Sequence, residues 1–269
     1  MRIESFGMTD VGCRREKNED NFLINDNLEL YMVADGMGGH VAGELASKIA
    51  VKTVEEVITE LNEDPDATLQ DEIEIKPGDF KRWLQYSIVT ASNRIFQKAV
   101  DDPALQGMGT TAVAMLFRKN RIYVANVGDS RGYRIRGKKI EQLTTDHSLV
   151  GEQIRAGMIK PKEAKDHRLK NIITRSVGFQ DEVEVDVEAR SVKVGDIYML
   201  CSDGLYNLVE DDEIFDIITH HSLKEASAHL IDIAKARGGD DNITVILAKS
   251  ISLEDEETES EDEESTLQC

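Results

Sequence analysis

Apolar positions along this chain switch between two periods. Residues 28–34, LELYMVA, form a nearly continuous apolar run that stops at Asp35-Gly36, the pattern of a buried strand closed by a turn. The period then lengthens: Ala46, Ile49, Ala50, Val54, Val57, Ile58 and Leu61 share one helical face, predicting a helix over about 43–61. Residues 62–78 are acidic and contain Pro65, Pro77 and Gly78, so they read as a loop. Asp79 is placed to cap a second helix reaching about Val100, with Phe80, Leu84, Ile88, Ala91, Ile95 and Ala99 as its stripe.

Strand-like runs follow at 111–117, 121–127, 132–135 and 139–143. The intervals 118–120 and 136–138 are short enough for hairpins, which forces antiparallel neighbours and argues against a doubly wound parallel sheet. Residues 148–170 are polar and partly helical, and predict a flap. Strands recur at 183–189, 196–201 and 243–248, with helices near 210–220 and 223–237. The chain therefore reads as α+β, with two helical pairs and an antiparallel sheet system.

Composition narrows the class. At 269 residues, with 40% apolar residues and a mean hydropathy of −0.38, the chain has enough core to fold without staples. The formal charge of −20 would repel a phosphodiester backbone, so no nucleic-acid partner is expected. No apolar run approaches the roughly 20 residues of a membrane span, and Met1-Arg2-Ile3-Glu4 opens on a strand-like pattern rather than an export segment. A cytoplasmic protein without membrane insertion is the expectation. Cys13, Cys201 and Cys269 suggest neither a disulfide framework nor structural zinc; Cys201, in an apolar stretch, reads as core. From Glu254 onward acidic residues dominate without apolar periodicity, so a folded domain over 1–252 and a disordered acidic tail over 253–269 are expected. The tail reads as a solvated terminus, with a partner-binding or autoinhibitory strip as the alternative.

Several carboxylates stand where apolar strands end: Asp35 before Gly36, Asp129 before Ser130, Asp203 before Gly204, Asp241 just before the last strand, and the Asn18-Glu19-Asp20 segment leading into another. Any one of these alone is an ordinary turn residue. Gathered at one edge, they would suit Mg²⁺ or Mn²⁺, which prefer oxygen ligands, and the Gly36 carbonyl would complete a set too crowded for another side chain. Two ions about 4 Å apart, sharing one carboxylate and one water, would acidify that water and aim it at phosphorus. Gly38 and Gly39 allow a tight backbone turn, but the segment matches neither G-x-G-x-x-G nor a phosphate-binding P-loop, which disfavours a nucleotide cradle.

The sequence resembles the metal-dependent protein phosphatases, the type 2C serine/threonine class, in their short bacterial form. The motifs carrying the resemblance run in order over about residues 3–250: Asp10-Val-Gly12-Cys-Arg-Arg15-Glu-Lys-Asn18-Glu-Asp20, Asp35-Gly-Met-Gly-Gly-His40, Gly107-Met-Gly109-Thr-Thr111, Gly128-Asp-Ser-Arg131, Thr145-Asp-His-Ser148, Asn171-Ile-Ile-Thr-Arg175-Ser-Val-Gly178, Ser202-Asp-Gly204 and Asp240-Asp-Asn-Ile-Thr244. The resemblance implies a four-layer α-β-β-α sandwich of two mainly antiparallel sheets flanked by helix pairs. It also implies hydrolysis of phosphoserine and phosphothreonine on proteins by in-line attack of a water or hydroxide shared by two divalent metals, without a phosphoenzyme.

Carried over by motif, Asp35 bridges both ions, and Asp203 and Asp241 hold one of them. The Gly36 carbonyl completes the other, with Glu19 acting through water. Asp20 supports the centre either as a ligand or by positioning a water, and Asp129 with Asp203 serves a weaker third ion. Arg15 would fork onto phosphoryl oxygens, with Arg14 as its register competitor, and His40 would protonate the leaving oxygen. Serine/threonine kinases or their targets would be the substrates of a monomeric enzyme. A phosphatase dedicated to anti-anti-sigma-type regulators and a non-catalytic phosphopeptide scaffold are the alternatives. The chain departs from the pattern at Arg168 and Lys170 in the flap, where a proline and an arginine are usual, and in its long acidic 62–78 loop.

Overall fold

A computed structural model describes residues 1–39, 41–64, 75–160, 163 and 167–253. Strands β1 (Arg2–Asp10), β2 (Asp20–Asn25) and β3 (Leu30–Met37) lead into two long helices, α1 (Val41–Glu63) and α2 (Phe80–Asp101). Next come β4 (Gly109–Thr110), β5 (Ala112–Arg118), β6 (Arg121–Val127), β7 (Arg131–Arg136), β8 (Lys139–Gln142) and α3 (Leu149–Arg155). The chain closes through β9 (Asp186–Ser191), β10 (Ile197–Cys201), α4 (Asp203–Tyr206), α5 (Asp211–His220), α6 (Leu223–Ala236) and β11 (Ile243–Ser252).

The strands form two antiparallel sheets, one ordered β1-β11-β10-β7-β8 and the other β2-β3-β5-β6-β9, with β4 joined to β3. Alternation along β3 explains its continuous apolar run. Leu30, Met32 and Ala34 pack with Ala46, Val54, Ile58 and Ile88 of α1 and α2, whereas Tyr31 and Val33 point to the opposite face. There they meet Tyr198, Leu200 and Ile246 of the other sheet. Strand β10 repeats the arrangement, sending Met199 and Cys201 toward Ile214 and Leu230 of α5 and α6. Three apolar layers thus separate four layers of structure, α-β-β-α. The middle layer carries an aromatic relay: Tyr31 meets Phe117 edge-on at 5.8 Å, and Phe117 meets Tyr198 at 5.3 Å, from one sheet to the other.

Asp79 caps α2 by accepting a hydrogen bond from the Arg82 N–H, and Cys201 is fully buried, both as the pattern suggests. Two short elements escape the periodicity, β4 and α4, since neither two nor four residues show a period. Helix α1 continues to Glu63, past its expected end near Leu61. Of the expected 62–78 loop, residues 65–74 lie outside the described residues, as do 161, 162 and 164–166 of the flap and the tail from 254. Among the described residues, no helix is long and apolar enough to cross a membrane.

Register decides where the functional residues go. Asp20 opens β2 directly opposite Asp35 on β3. Cys201 ends β10 opposite Val245, so Ser202-Asp203 and Asp241-Asn242 emerge together at the same edge of the other sheet. Because the site straddles both sheets, it depends on the apolar layer between them. Leu200→Ala in that layer is expected to lower unfolding free energy by about 2–5 kcal/mol while retaining one cooperative transition in urea. Separate transitions for the two halves would show that the layer does not couple the sheets.

Candidate active site

The strand ends bring Asp20, Asp35, Asp129, Asp203 and Asp241 within mutual electrostatic reach. Asp20 is 5% exposed. Its Oδ2 accepts hydrogen bonds from Ser202 Oγ at 2.8 Å and Thr244 Oγ1 at 2.6 Å, while its Oδ1 is buried without a hydrogen-bond partner. Asp203 has the same asymmetry: Oδ2 accepts from Asn207 Nδ2 at 3.1 Å, and Oδ1 is buried and orphaned. Two carboxylate oxygens are therefore withdrawn from water without an N–H or hydroxyl donor, the Asp20 side chain lying against the Asp35 carboxyl.

Protonation equilibria record the crowding. Burial, followed by the charges of Asp20, Asp203, Asp129 and Asp241, holds the Asp35 carboxyl well above the usual range. Asp203 is raised by burial and then by Asp129, Asp241 and Asp20, with Arg15 opposing. Burial pushes Asp20 up to about 6 against the lowering effect of Thr244 and Ser202. Asp129, 6% exposed, is likewise pushed up to about 6 by burial and Asp146.

Among the described residues, no three His, Cys, Asp or Glu side chains close into a ready-made ion cage, as expected of carboxylates that repel one another without a counter-charge. Yet the donors are all hard oxygens, two of them orphaned, and burial with like charge raises the carboxyls of Asp20, Asp35, Asp129 and Asp203. That chemistry fits hard divalent cations.

The loop between β1 and β2 brings Arg15 to the rim. Arg15 Nη2 donates to Asp241 Oδ2 at 2.7 Å, and this bond is the main cause of the raised guanidinium pKa. Arg14 instead meets Asp240 at 3.6 Å on the exposed surface, which separates the two candidates. The loop is clamped by Asn242, whose Nδ2 donates to the carbonyls of Val11 and Lys17 and whose Oδ1 accepts from the Glu19 N–H. Sequence reasoning quoted Asn242 within a motif but assigned it no task. An amide beside a candidate ligand, where a loop must close, was the available signal.

Close backbone crossing explains the glycines. A Cβ on Gly36 would lie 2.1 Å from the Gly43 carbonyl oxygen, and one on Gly204 would lie 2.0 Å from that of Asn242. Glu19 packs so tightly on Gly43 that a Cβ there would fall 1.9 Å from its Oε2. The Asp35 backbone is fixed by its N–H donating to Thr111 Oγ1 at 2.9 Å and its carbonyl accepting from Thr110 Oγ1 at 2.9 Å. The structure thus brings Arg15, Glu19, Asp20, Asp35, Gly36, Asp203 and Asp241 to one edge, with Asp129 at its border; His40 lies outside the described residues.

A cavity of about 820 Å³ adjoins this edge and touches the acidic cluster only at Asp129. Arg131 and Tyr206 line it, the guanidinium stacked 3.6 Å above the ring and paired with Asp146. Arg155 and Lys170 bring flap residues to the same space.

Comparison with known proteins places the fold and the family. A serine/threonine phosphatase, Stp, of Listeria welshimeri is 41% identical over 245 residues, covering 90% of this chain and 93% of its own. The crystal structure of the Mycobacterium tuberculosis serine/threonine phosphatase PstP/Ppp matches with a TM-score of 0.83 at 32% identity, covering 94% of this chain and all of that one. A structure of the PstP catalytic domain in complex with two manganese ions matches at TM-score 0.79 and 33% identity, covering 93% and 99%. The sequence profile described as Protein phosphatase 2C matches residues 4–243, and the chain belongs to that family.

Proposed function

We propose that this protein removes phosphate from phosphoserine and phosphothreonine side chains of proteins in a metal-dependent hydrolysis. The observation that carries the reading is the pair of buried, unpartnered carboxylate oxygens on Asp20 and Asp203 inside a five-aspartate cluster with Arg15 at its rim. Manganese or magnesium, when bound, supplies positive charge to the phosphoryl oxygens and an acidified water for attack on phosphorus. Asp35, Asp203, Asp241 and the Gly36 carbonyl are the residues we assign to hold two core ions, with Glu19 and Asp20 in support and Asp129 with Asp203 serving a third.

Ser202 and Thr244 hold one oxygen of Asp20, which leaves the other facing the cluster, so Asp20 is suited to direct ligation. Arg15 is anchored through one nitrogen on Asp241, and its fork is placed to take phosphoryl oxygens as they arrive. His40 is assigned to protonate the departing oxygen. Serine and threonine alkoxides are poor leaving groups, so such a proton matters more for them than for a phenolate. Phosphoserine and phosphothreonine are made by serine/threonine kinases, so those kinases and their targets form the substrate class we assign.

Activity should require Mn²⁺ or Mg²⁺ and vanish on chelation; full hydrolysis of a phosphothreonine peptide in EDTA would overturn the metal reading. His40→Asn is expected to slow that peptide by about 10²–10⁴-fold and p-nitrophenyl phosphate much less, measured as kcat on both. Equal losses would remove the leaving-group role.

The raised carboxyls also predict a pH signature in metal-free protein. Asp20 titrates near 6 when folded and near its ordinary 3.8 when unfolded, so between these values the folded state binds the extra proton. Its contribution to stability therefore falls as pH rises from about 4 to 6. The stability difference between wild type and Asp20→Asn reads this effect together with the relief of Asp35 and Asp203, which the Asp20 charge also raises, and Mn²⁺ should restore most stability above pH 6. A difference that grows in wild type's favour with pH would contradict the assignment.

A further inference from the structure

His147 is 3% exposed and belongs to none of the groups assigned above. It holds both polar groups of Gly128, the residue before Asp129. The Gly128 N–H donates to His147 Nδ1 at 3.1 Å, and the His147 backbone N–H donates to the Gly128 carbonyl at 2.9 Å. Gly128 has φ +103°, and a Cβ there would lie 2.6 Å from Thr111 Cγ2, so this turn is closed on its other side as well.

The tautomer follows from the donors. A backbone N–H can only donate, so Nδ1 must be bare, and the neutral ring carries its proton on Nε2. Nε2–H then donates to Asp186 Oδ2 at 3.0 Å. Arg175 lies 3.2 Å from the same Nε2 but donates instead to Asp186 Oδ1 at 2.8 Å and Glu184 Oε2 at 2.7 Å. Burial lowers the ring's pKa, in keeping with a neutral imidazole.

The same residue closes the base of the flap. The Thr174 N–H donates to the His147 carbonyl at 2.9 Å, and Ser148 bridges Ile173 beside it. Farther along, Val177 bridges Thr110, whose hydroxyl donates to the Asp35 carbonyl. Both strands of the flap base thus reach the acidic cluster through short hydrogen-bonded paths, one ending on Asp129 and one on Asp35.

We propose that His147 is a positioning residue: with Asp186 and Arg175 behind it, its ring sets the Gly128-Asp129 turn and ties the Asp129 carboxylate to the base of the flap. The proposal rests on the phosphatase reading for its effect on turnover, but its effect on cation binding stands apart from it.

Two near-isosteres split the ring's contacts. In His147→Asn the Oδ1 is placed to accept from Gly128, as Nδ1 does; in His147→Gln the terminal amide keeps a donor toward Asp186 and the acceptor beside Gly128 is lost. The full-length chain would be titrated with Mn²⁺ alone, free ion being followed by electron paramagnetic resonance, and then assayed on a phosphothreonine peptide. His147→Gln is expected to weaken the weakest class of Mn²⁺ site by about 10-fold and to lower kcat similarly with KM within about twofold, the scale of a lost outer hydrogen bond to a ligand.

His147→Asn should keep both quantities within about threefold of wild type, and both variants should melt as single transitions. Equal behaviour of the two variants, or an unchanged Mn²⁺ isotherm in His147→Gln, overturns the proposal. Wild-type protein that binds Mn²⁺ but leaves the peptide intact would overturn the functional reading, and the isotherms would still decide the role of His147.

Discussion

The structure is organised around an unfavourable interaction, the mutual repulsion of five aspartates drawn to one edge by the ends of strands from two sheets. Like charges about 4 Å apart cost about 4 kcal/mol per pair even at an effective dielectric of about 20. A domain is stable by about 5–15 kcal/mol in total, so repulsion on this scale is a large fraction of that margin. Two responses are open to the protein: hold protons more tightly, the direction in which burial and mutual charge shift Asp35, Asp203, Asp20 and Asp129, or bind cations. Holding the carboxylates in place against this force is the work of the surrounding glycines, hydroxyls and amides.

That work is divided between neutral and charged supports. Ser202, Thr244, Thr111 and Asn242 donate or accept without adding net charge, so they fix geometry without neutralising the carboxylates. Arg15 is different: its bond to Asp241 cancels one charge at the rim. Placed deeper, such a cation would compete with a metal ion; half-exposed Arg15 stays at the rim and leaves the buried carboxylates without a fixed positive partner. Arg131, also beside the cluster, is kept out of this competition by its pairing with Asp146 and its stacking on Tyr206.

Much of this was legible in the chain, for identifiable reasons. Strands buried on both faces lack alternation, and β3, β5 and β10 show it as apolar runs, of which β3 and β10 run into aspartates. Amphipathic α1 and α2 announce themselves by period, and the ordered motifs resolved what single turns could not. What stayed hidden were contacts made by small polar residues across long separations. Ser202 and Thr244 reach Asp20 over 182 and 224 positions, and a serine or threonine at a strand end carries no mark of which partner it will meet. His147 was equally silent, because its role depends on tautomer and on a backbone N–H rather than on residue type.

A net charge of −20 would repel a phosphate dianion if charge acted as a total. Screening over about 8–10 Å at ordinary ionic strength removes most distant carboxylates from account, including those of the 254–269 segment wherever they lie farther away. On the proposed assignment, what the incoming phosphoryl group meets is local: Arg15, and a cluster whose sign depends on whether divalent cations are bound. Under the ligand assignment proposed above, the same aspartates exclude the substrate when bare and admit it when loaded, which couples phosphate binding to cation binding without any moving part. Because linkage is reciprocal, a bound phosphoryl group must tighten cation binding by the factor by which cations tighten phosphate binding.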